Sequence, residues 1–363
     1  MKKQAFLVLS MALAMGSSGC LKSMLLNGQI GSTRKAVTAS DTIGDYELAR
    51  SASSAAMMQF EGLHKLAPDN EDGLYLLMRG WAGYGYAFAS DDYDQATLDG
   101  KDDLAEYHKK RAKLAFDRSI GYGLELLGKK AEGFNANIKN ADTVKKWLTD
   151  HFKDKEDADH LFWTGSAWLA RVQLLKDEPE YVANLFIGVA MLERSREIDP
   201  TYLSWGATST LGAYHSRSPM AELDEGKKLL DEALAKTERK SQGVLLNYAK
   251  YACSKNDQAL YEKMLKEVVD NDDPDPNLRL QNTVAKRRAR RALTKPAMEE
   301  CGFITAAPEK HSPPPPPPPG ADKKPPPPPP AGTDKKPPPP PPADKKPATP
   351  PPAGTTAPPA PKP

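Results

Sequence analysis

The sequence predicts an all-α fold, a superhelix of antiparallel helical hairpins followed by a disordered Pro-rich C-terminal tail. Three observations carry that prediction. Strand-like alternation is nearly absent between residues 45 and 294, and breaker-poor segments are separated there by short turns. Of the 35 prolines, 28 fall at or after Pro308. The steps from Leu192 to Leu230 to Leu265 are 38 and 35 residues, close to the tetratricopeptide period, and their inequality makes the array degenerate.

Residues 1–19 read as a lipoprotein signal peptide. Lys2 and Lys3 give a positive start, and Ala5 to Met15 form an apolar run too short to span a bilayer. Ser18-Gly19-Cys20 follows at once and is similar to a bacterial lipobox, in which the cysteine takes a diacylglycerol and becomes the mature N-terminus. Ser17 stands where that motif usually carries leucine, and an ordinary secretory signal with a chance cysteine is the alternative. Leu21, where aspartate would signal retention, favours the outer membrane by resemblance to enterobacterial sorting. Residues 20–44 are then a lipidated tether to the periplasmic face of the envelope. Export removes the ATP pool and the chromosome as partners, so the basic run Lys286 to Arg291 is not a nucleic-acid patch. It reads instead as cations complementing the carbonyl end of a final helix.

The helical domain covers residues 45–301. Asp45 to Ala67 and Leu74 to Ala89 flank the turn Pro68-Asp69-Asn70 and form a first hairpin. Asp157 to Lys176 and Tyr181 to Ile198 lie either side of Pro179, and the second stops at Asp199-Pro200. Leu223 to Lys236, Gln242 to Ser254 and Asp257 to Asp270 carry the array to Pro274 and Pro276.

Two of these helices are apolar on more than one face. At 100° per residue, Leu161, Gly165, Trp168, Val172 and Leu175 form one stripe, with Trp163, Ala167, Ala170 and Leu174 roughly opposite. In the earlier helix Leu74, Met78, Trp81, Gly85 and Phe88 line one side, and Leu76, Gly80, Gly83 and Ala87 the other. Arg79 is the only charge in that segment, and with the short length it argues against a membrane span. Such second faces either pack between repeats or line an apolar ligand cavity. For the cavity, the candidate lining is Leu76, Gly83, Ala87, Trp163, Ala167, Ala170 and Leu174.

No catalytic constellation emerges. There is no Gly-x-Ser-x-Gly elbow, and Gly226-Lys227-Lys228 lacks the upstream glycine and the hydroxyl residue of a phosphate-binding loop. The sequence therefore predicts no enzyme and no cofactor. His151, Asp154, Asp157, Asp159 and His160 are a conceivable metal cluster, but their spacing fits no standard motif and a solvated acidic linker between two helices is the favoured reading. With Cys20 assigned to lipid, Cys253 and Cys301 either close one disulfide or stay as separate thiols. Residues 302–363 form the tail. From Pro308 on it holds no Leu, Ile, Val, Met or aromatic residue and cannot build a core, while its proline runs favour an extended spacer of on the order of 150 Å. The tail is basic and residues 21–307 carry a net charge of −4, so the tail suits an anionic surface.

Four segments carry a wider resemblance: Tyr84 to Gln95, Leu161 to Trp168, Met191 to Pro200 and Arg279 to Leu293. Together, and in order between residues 21 and 294, they resemble the TatT family of TRAP-transporter-associated lipoproteins with a tetratricopeptide-like fold. The resemblance implies a periplasmic accessory that works with the substrate-binding component of a tripartite ATP-independent periplasmic transporter, on a hydrophobic or organic-acid ligand. Homo-oligomers are compatible with it. Gly206-Ala207-Thr208-Ser209-Thr210 lacks the Gly-Ala-Leu-His pattern expected there, and the Pro-rich tail is not a family feature. The competing function is a helical-repeat envelope scaffold that helps assemble outer-membrane or secretion machinery.

Overall fold

Every regular element among the described residues is helical; the computed structural model describes residues 21–217 and 222–303. The signal peptide, Cys20 and the tail from residue 304 onward lie outside the described residues. The chain begins with α1 (residues 21–36) and a 3-10 turn, Val37–Thr42. α2 (Tyr46–Leu66) starts where the Asp45 carboxylate accepts from the Leu48 N–H at 3.0 Å, and α3 (Glu71–Tyr84) where the Asn70 side chain accepts from Gly73 at 2.8 Å. Pro68 separates them, as the sequence predicts.

The helix expected to end at Ala89 does not stop there. A π turn, Gly85–Ala89, joins α3 to α4 (Ser90–Leu98), and Gly100 at φ +67° ends the run. Three helices follow that the sequence patterning left unassigned or only touched: α5 (Asp102–Lys130), α6 (Phe134–Asn137) and α7 (Ala141–His151). α8 (Lys155–Leu174) matches its expected segment, whereas the stretch from Tyr181 to Ile198 is divided into α9 (Pro179–Val182) and α10 (Leu185–Ile198). α11 (Tyr202–His215), also unassigned, precedes α12 (Leu223–Lys236), α13 (Gln242–Ser254) and α14 (Gln258–Asp270), which fall where expected. A 3-10 turn at Pro276–Leu278 leads into α15 (Arg279–Ala292) and α16 (Lys295–Glu300).

Neighbouring helices pack in succession: α2 on α3, α3 on α5, α5 on α8, α8 on α10, α10 on α11, and so on through α12, α13 and α14 to α15. Leu192, Leu230 and Leu265, the residues that mark the repeat, are all fully buried. Close approach depends on small residues. A Cβ on Gly165 would lie 3.0 Å from the Gly188 carbonyl of α10, so backbone meets backbone at the α8–α10 crossing. α15 then returns to α2 and to the Val37–Thr42 turn, so the last long helix closes against the first hairpin. Cys253 and Cys301 form a disulfide with Cα atoms 5.3 Å apart, pinning the chain after α16 to α13.

Candidate functional site

The seven candidate cavity residues do not share one lining. Ala167 and Leu174 belong to the large core between α5, α7, α8 and α10, with Trp163 and Ala170 packed against its edge. Ala87 sits in a separate cluster with Tyr46, Phe88 and Val284. Leu76 is buried, and Gly83 faces open space, with no atom within 4 Å of an added Cβ. Surface depressions occur along Gln258–Lys266 of α14 and between Ser23, Asn27 and Leu66 to Asp72, and neither includes any of the seven.

Among the places where the structure gathers charge, two tie the ends of the helical domain to its interior. The first surrounds Arg79, whose side chain is only 8 % exposed. Arg79 donates to Asp41 Oδ2 at 2.6 Å and reaches the Tyr75 hydroxyl at 3.5 Å, and its guanidinium carbon lies 5.2 Å from the Trp163 ring centre. The Trp163 indole N–H donates to the Tyr202 hydroxyl at 2.8 Å. Arg34, from α1, lies 3.0 Å over the Tyr75 ring and donates to Asp159 Oδ2 at 3.0 Å. Residues 21–42, read from the sequence as tether, thus supply two charged side chains to this cluster.

Burial governs the ionisation of the cluster. It pushes the Asp159 carboxyl above its ordinary range against the opposing pull of Arg34, and it raises the hydroxyls of Tyr75 and Tyr202. His160, 5.7 Å from the Tyr75 ring, is lowered to about 4 by burial and by the neighbouring Arg34 charge. Asp159 Oδ1 is buried without a hydrogen-bond partner. Asp157 is buried and its carboxylate accepts from Lys130 at 2.7 Å, as Asp154 does at 2.6 Å. The acidic stretch is therefore solvated only in part: His151 and Asp154 are exposed where the chain joins α7 to α8, whereas Asp157, Asp159 and His160 lie within α8 and face other helices. Among the described residues no group of His, Cys, Asp and Glu is arranged to hold a metal.

The second place is the closure between α4 and α15. Asp91 is fully buried, and its carboxylate accepts from Arg287 Nε and, at 2.7 Å, from Arg291 Nη1, with Arg288 Nε 3.7 Å away. Tyr46 donates to the Ala87 carbonyl at 3.1 Å and reaches Asp91 Oδ2 at 3.3 Å. Burial raises the Asp91 pKa, but the Arg291 and Arg288 charges and the hydrogen bonds outweigh it and hold the carboxyl below its usual range. The basic run thus finds a buried carboxylate some two hundred residues earlier, a different partner from the helix carbonyl end that its position suggests.

Residues 43–298 match the family described as TAtT, the TRAP transporter T-component. The chain belongs to that family. No curated protein matches it. Membership makes this T-component an accessory of a TRAP transporter, a role at the cell envelope. The segments that carry the resemblance meet in pairs within its fold. Tyr84 to Gln95 holds the π turn and Asp91, which Arg279 to Leu293 clamps, and Leu161 to Trp168 packs on α10, which carries most of Met191 to Pro200.

Sequence reasoning picked out Arg79, Trp163, Asp159 and His160, but separately, as a lone charge, a cavity wall and metal-ligand candidates, and did not join them. The signal that pointed to a buried cluster was the lone charge in an otherwise apolar segment, since an arginine there must find a counter-charge wherever the fold can supply one. Asp41 and Arg34 carried no signal, because they lie outside the patterned helices.

Proposed function

We propose that this T-component is anchored through lipid on Cys20 at the periplasmic face, most simply on the outer membrane, and docks the substrate-binding component of its transporter. It holds a small hydrophobic or organic-acid ligand on the way to or from that partner. The observation that carries the reading is the family match over residues 43–298, which spans the closed array from the first hairpin to α16. Trp163 supports the ligand part, because it stands between the apolar core and the polar Arg79 cluster. Phe303 is buried against Tyr261, so the spacer begins later than residue 302, and residues 304–363 serve as a Pro- and Lys-rich spacer toward an anionic surface.

Cross-linking the tagged chain in intact native cells, followed by mass spectrometry, tests docking. Capture of a TRAP substrate-binding protein is the expected result. Capture of outer-membrane or secretion assembly proteins in its place would overturn it and favour the scaffold. Cys20→Ser should move the protein from membranes to the soluble periplasmic fraction, and continued membrane fractionation would count against the lipid anchor.

A further inference from the structure

The counter-charges of Arg79 and Asp159 both come from one thin segment. Asp41 belongs to a 3-10 turn that has no buried residue, yet it supplies the carboxylate for one of the most deeply enclosed arginines in the chain. Arg34, seven positions earlier, sets its guanidinium over the Tyr75 ring and pairs with Asp159. An anion and a cation from residues 21–42 therefore reach into a box walled by Tyr75, Trp163, Tyr202 and His160, while Asp159 keeps one oxygen unpartnered. The backbone beside the box is strained as well. Leu203, Ser204 and Trp205 follow Tyr202 with φ of 48°, 53° and 57°, a left-handed run that L-residues adopt only when their surroundings impose it.

We propose that this box is a binding site for a small zwitterion, whose carboxylate takes Arg79 and whose cationic nitrogen takes Tyr75 and Asp159, and that residues 21–42 close it with Asp41 and Arg34 in the ligand's place. Chemistry disfavours the simpler occupants. An apolar molecule displacing the segment takes the hydrogen-bonded partner from both Arg79 and Asp159 and leaves them only their attraction for each other beside Tyr75, and a plain monocarboxylate restores a partner to Arg79 alone. Without the segment, the box holds one positive and one negative pole with an aromatic face beside the negative one. A dipolar ligand matches that pattern, and aromatic faces favour its cationic end. The inference rests on the ligand-carrying part of the function proposed above and narrows its organic acid to one that also bears a cation.

The test uses the mature full-length protein, with glycine betaine and 4-aminobutyrate as zwitterionic probes and acetate and tetramethylammonium as half-ligands. Arg34→Gln with Asp41→Asn removes both internal counter-charges. In that variant a zwitterion should bind about tenfold or more tightly than to the wild type, since closure no longer competes. Adding Arg79→Gln should weaken binding by about tenfold or more, because a charge-assisted contact is lost. A folded variant that binds neither zwitterion better than the half-ligands, or whose binding ignores Arg79→Gln, overturns the site. If the variant does not fold, hydrogen exchange on the wild type decides: residues 21–42 should exchange ahead of α3 and α8, and faster with a zwitterion present. Exchange of that segment together with α3, unmoved by either zwitterion, overturns the proposal. Zwitterion binding needs no partner protein, so its failure beside successful capture of the substrate-binding component sinks the site and leaves docking intact.

Discussion

Replacing Asp91 with asparagine keeps the shape of the α4–α15 contact and deletes the charge that three arginines surround. Removing one partner of a buried ion pair costs about 3 to 5 kcal/mol, because the other charge stays buried uncompensated. Here the cost divides unevenly. Arg287 is 41 % exposed and regains water, whereas Arg288 and Arg291 are each 11 % exposed and do not, which places the loss near the lower end, about 3 kcal/mol. For a domain of this size that is a fall in Tm of roughly 6 to 12 °C. Urea unfolding at neutral pH reads the stability, and hydrogen exchange across Arg279–Ala292 reads the closure. The pH dependence adds a second check. The folded pKa of Asp91 is depressed, so its stabilisation is complete well above the unfolded value of about 3.9 and is lost as pH falls through the lower folded value. Asp91→Asn should therefore flatten the acid limb of the stability profile. A loss under about 1 kcal/mol, the level of a surface pair, with unchanged exchange in α15, would refute the reasoning.

Four further outcomes follow from the packing, the burial and the disulfide. Gly83→Ala should stabilise by about 0.5 to 1 kcal/mol in thermal melts, since the new methyl meets open space on a helix; Gly123→Ala, whose Cβ would lie 2.9 Å from Thr164 Cγ2, should cost about 1 to 3 kcal/mol. His160 is held neutral by burial and by Arg34, with a folded pKa of about 4 against an ordinary 6.5. Stability should fall, by on the order of 3 kcal/mol, as pH drops from about 6.5 to 4, and His160→Gln should remove that component in pH-resolved urea melts. Cys253→Ser with Cys301→Ser opens a bridge spanning 48 residues and should cost up to about 4 kcal/mol in guanidinium unfolding, a value set mainly by the unfolded chain.

Helices announced by breakers and caps were legible in the sequence. α2 and α3 are bounded by Asp45, Pro68 and Asn70, and α12 to α14 by equally plain turns. α5 was not, although it is 29 residues long. Much of its buried face is Ala105, Ala112, Ala115, Ser119 and Gly123, residues too small or too polar to register as an apolar stripe. α11 hides for the same reason, burying Ala207, Thr208, Ser209 and Gly212. Close packing between helices selects small side chains, and small side chains erase the periodicity by which a helix is recognised. The polar clusters were less legible still. Arg79 stood out as a lone charge, but its partner comes from 38 residues earlier, and the partners of Asp91 lie near the other end of the domain. The positions read as cavity lining illustrate the converse limit: periodicity put Gly83 and Ala87 on one face, and the fold gave the first to open space and the second to a core.

One backbone irregularity explains why closure occurs where it does. A straight run of α-helix satisfies its own carbonyls and offers a returning helix little to hold except side chains. The π turn at Gly85–Ala89 interrupts that ladder, and its carbonyls take side-chain donors: Tyr86 accepts from Arg288 and Ala87 from Tyr46. The extra residue in such a turn also rotates everything after it by about 100°. Asp91 lies two residues beyond the turn, so its direction toward Arg287 and Arg291 depends on that rotation. Deleting one residue from the turn should consequently do more than shorten a helix: it would carry the buried carboxylate away from α15 and leave both partners without their charge. An array of regular hairpins can continue indefinitely, and in this T-component it is the irregular turn that gives the last long helix a place to stop.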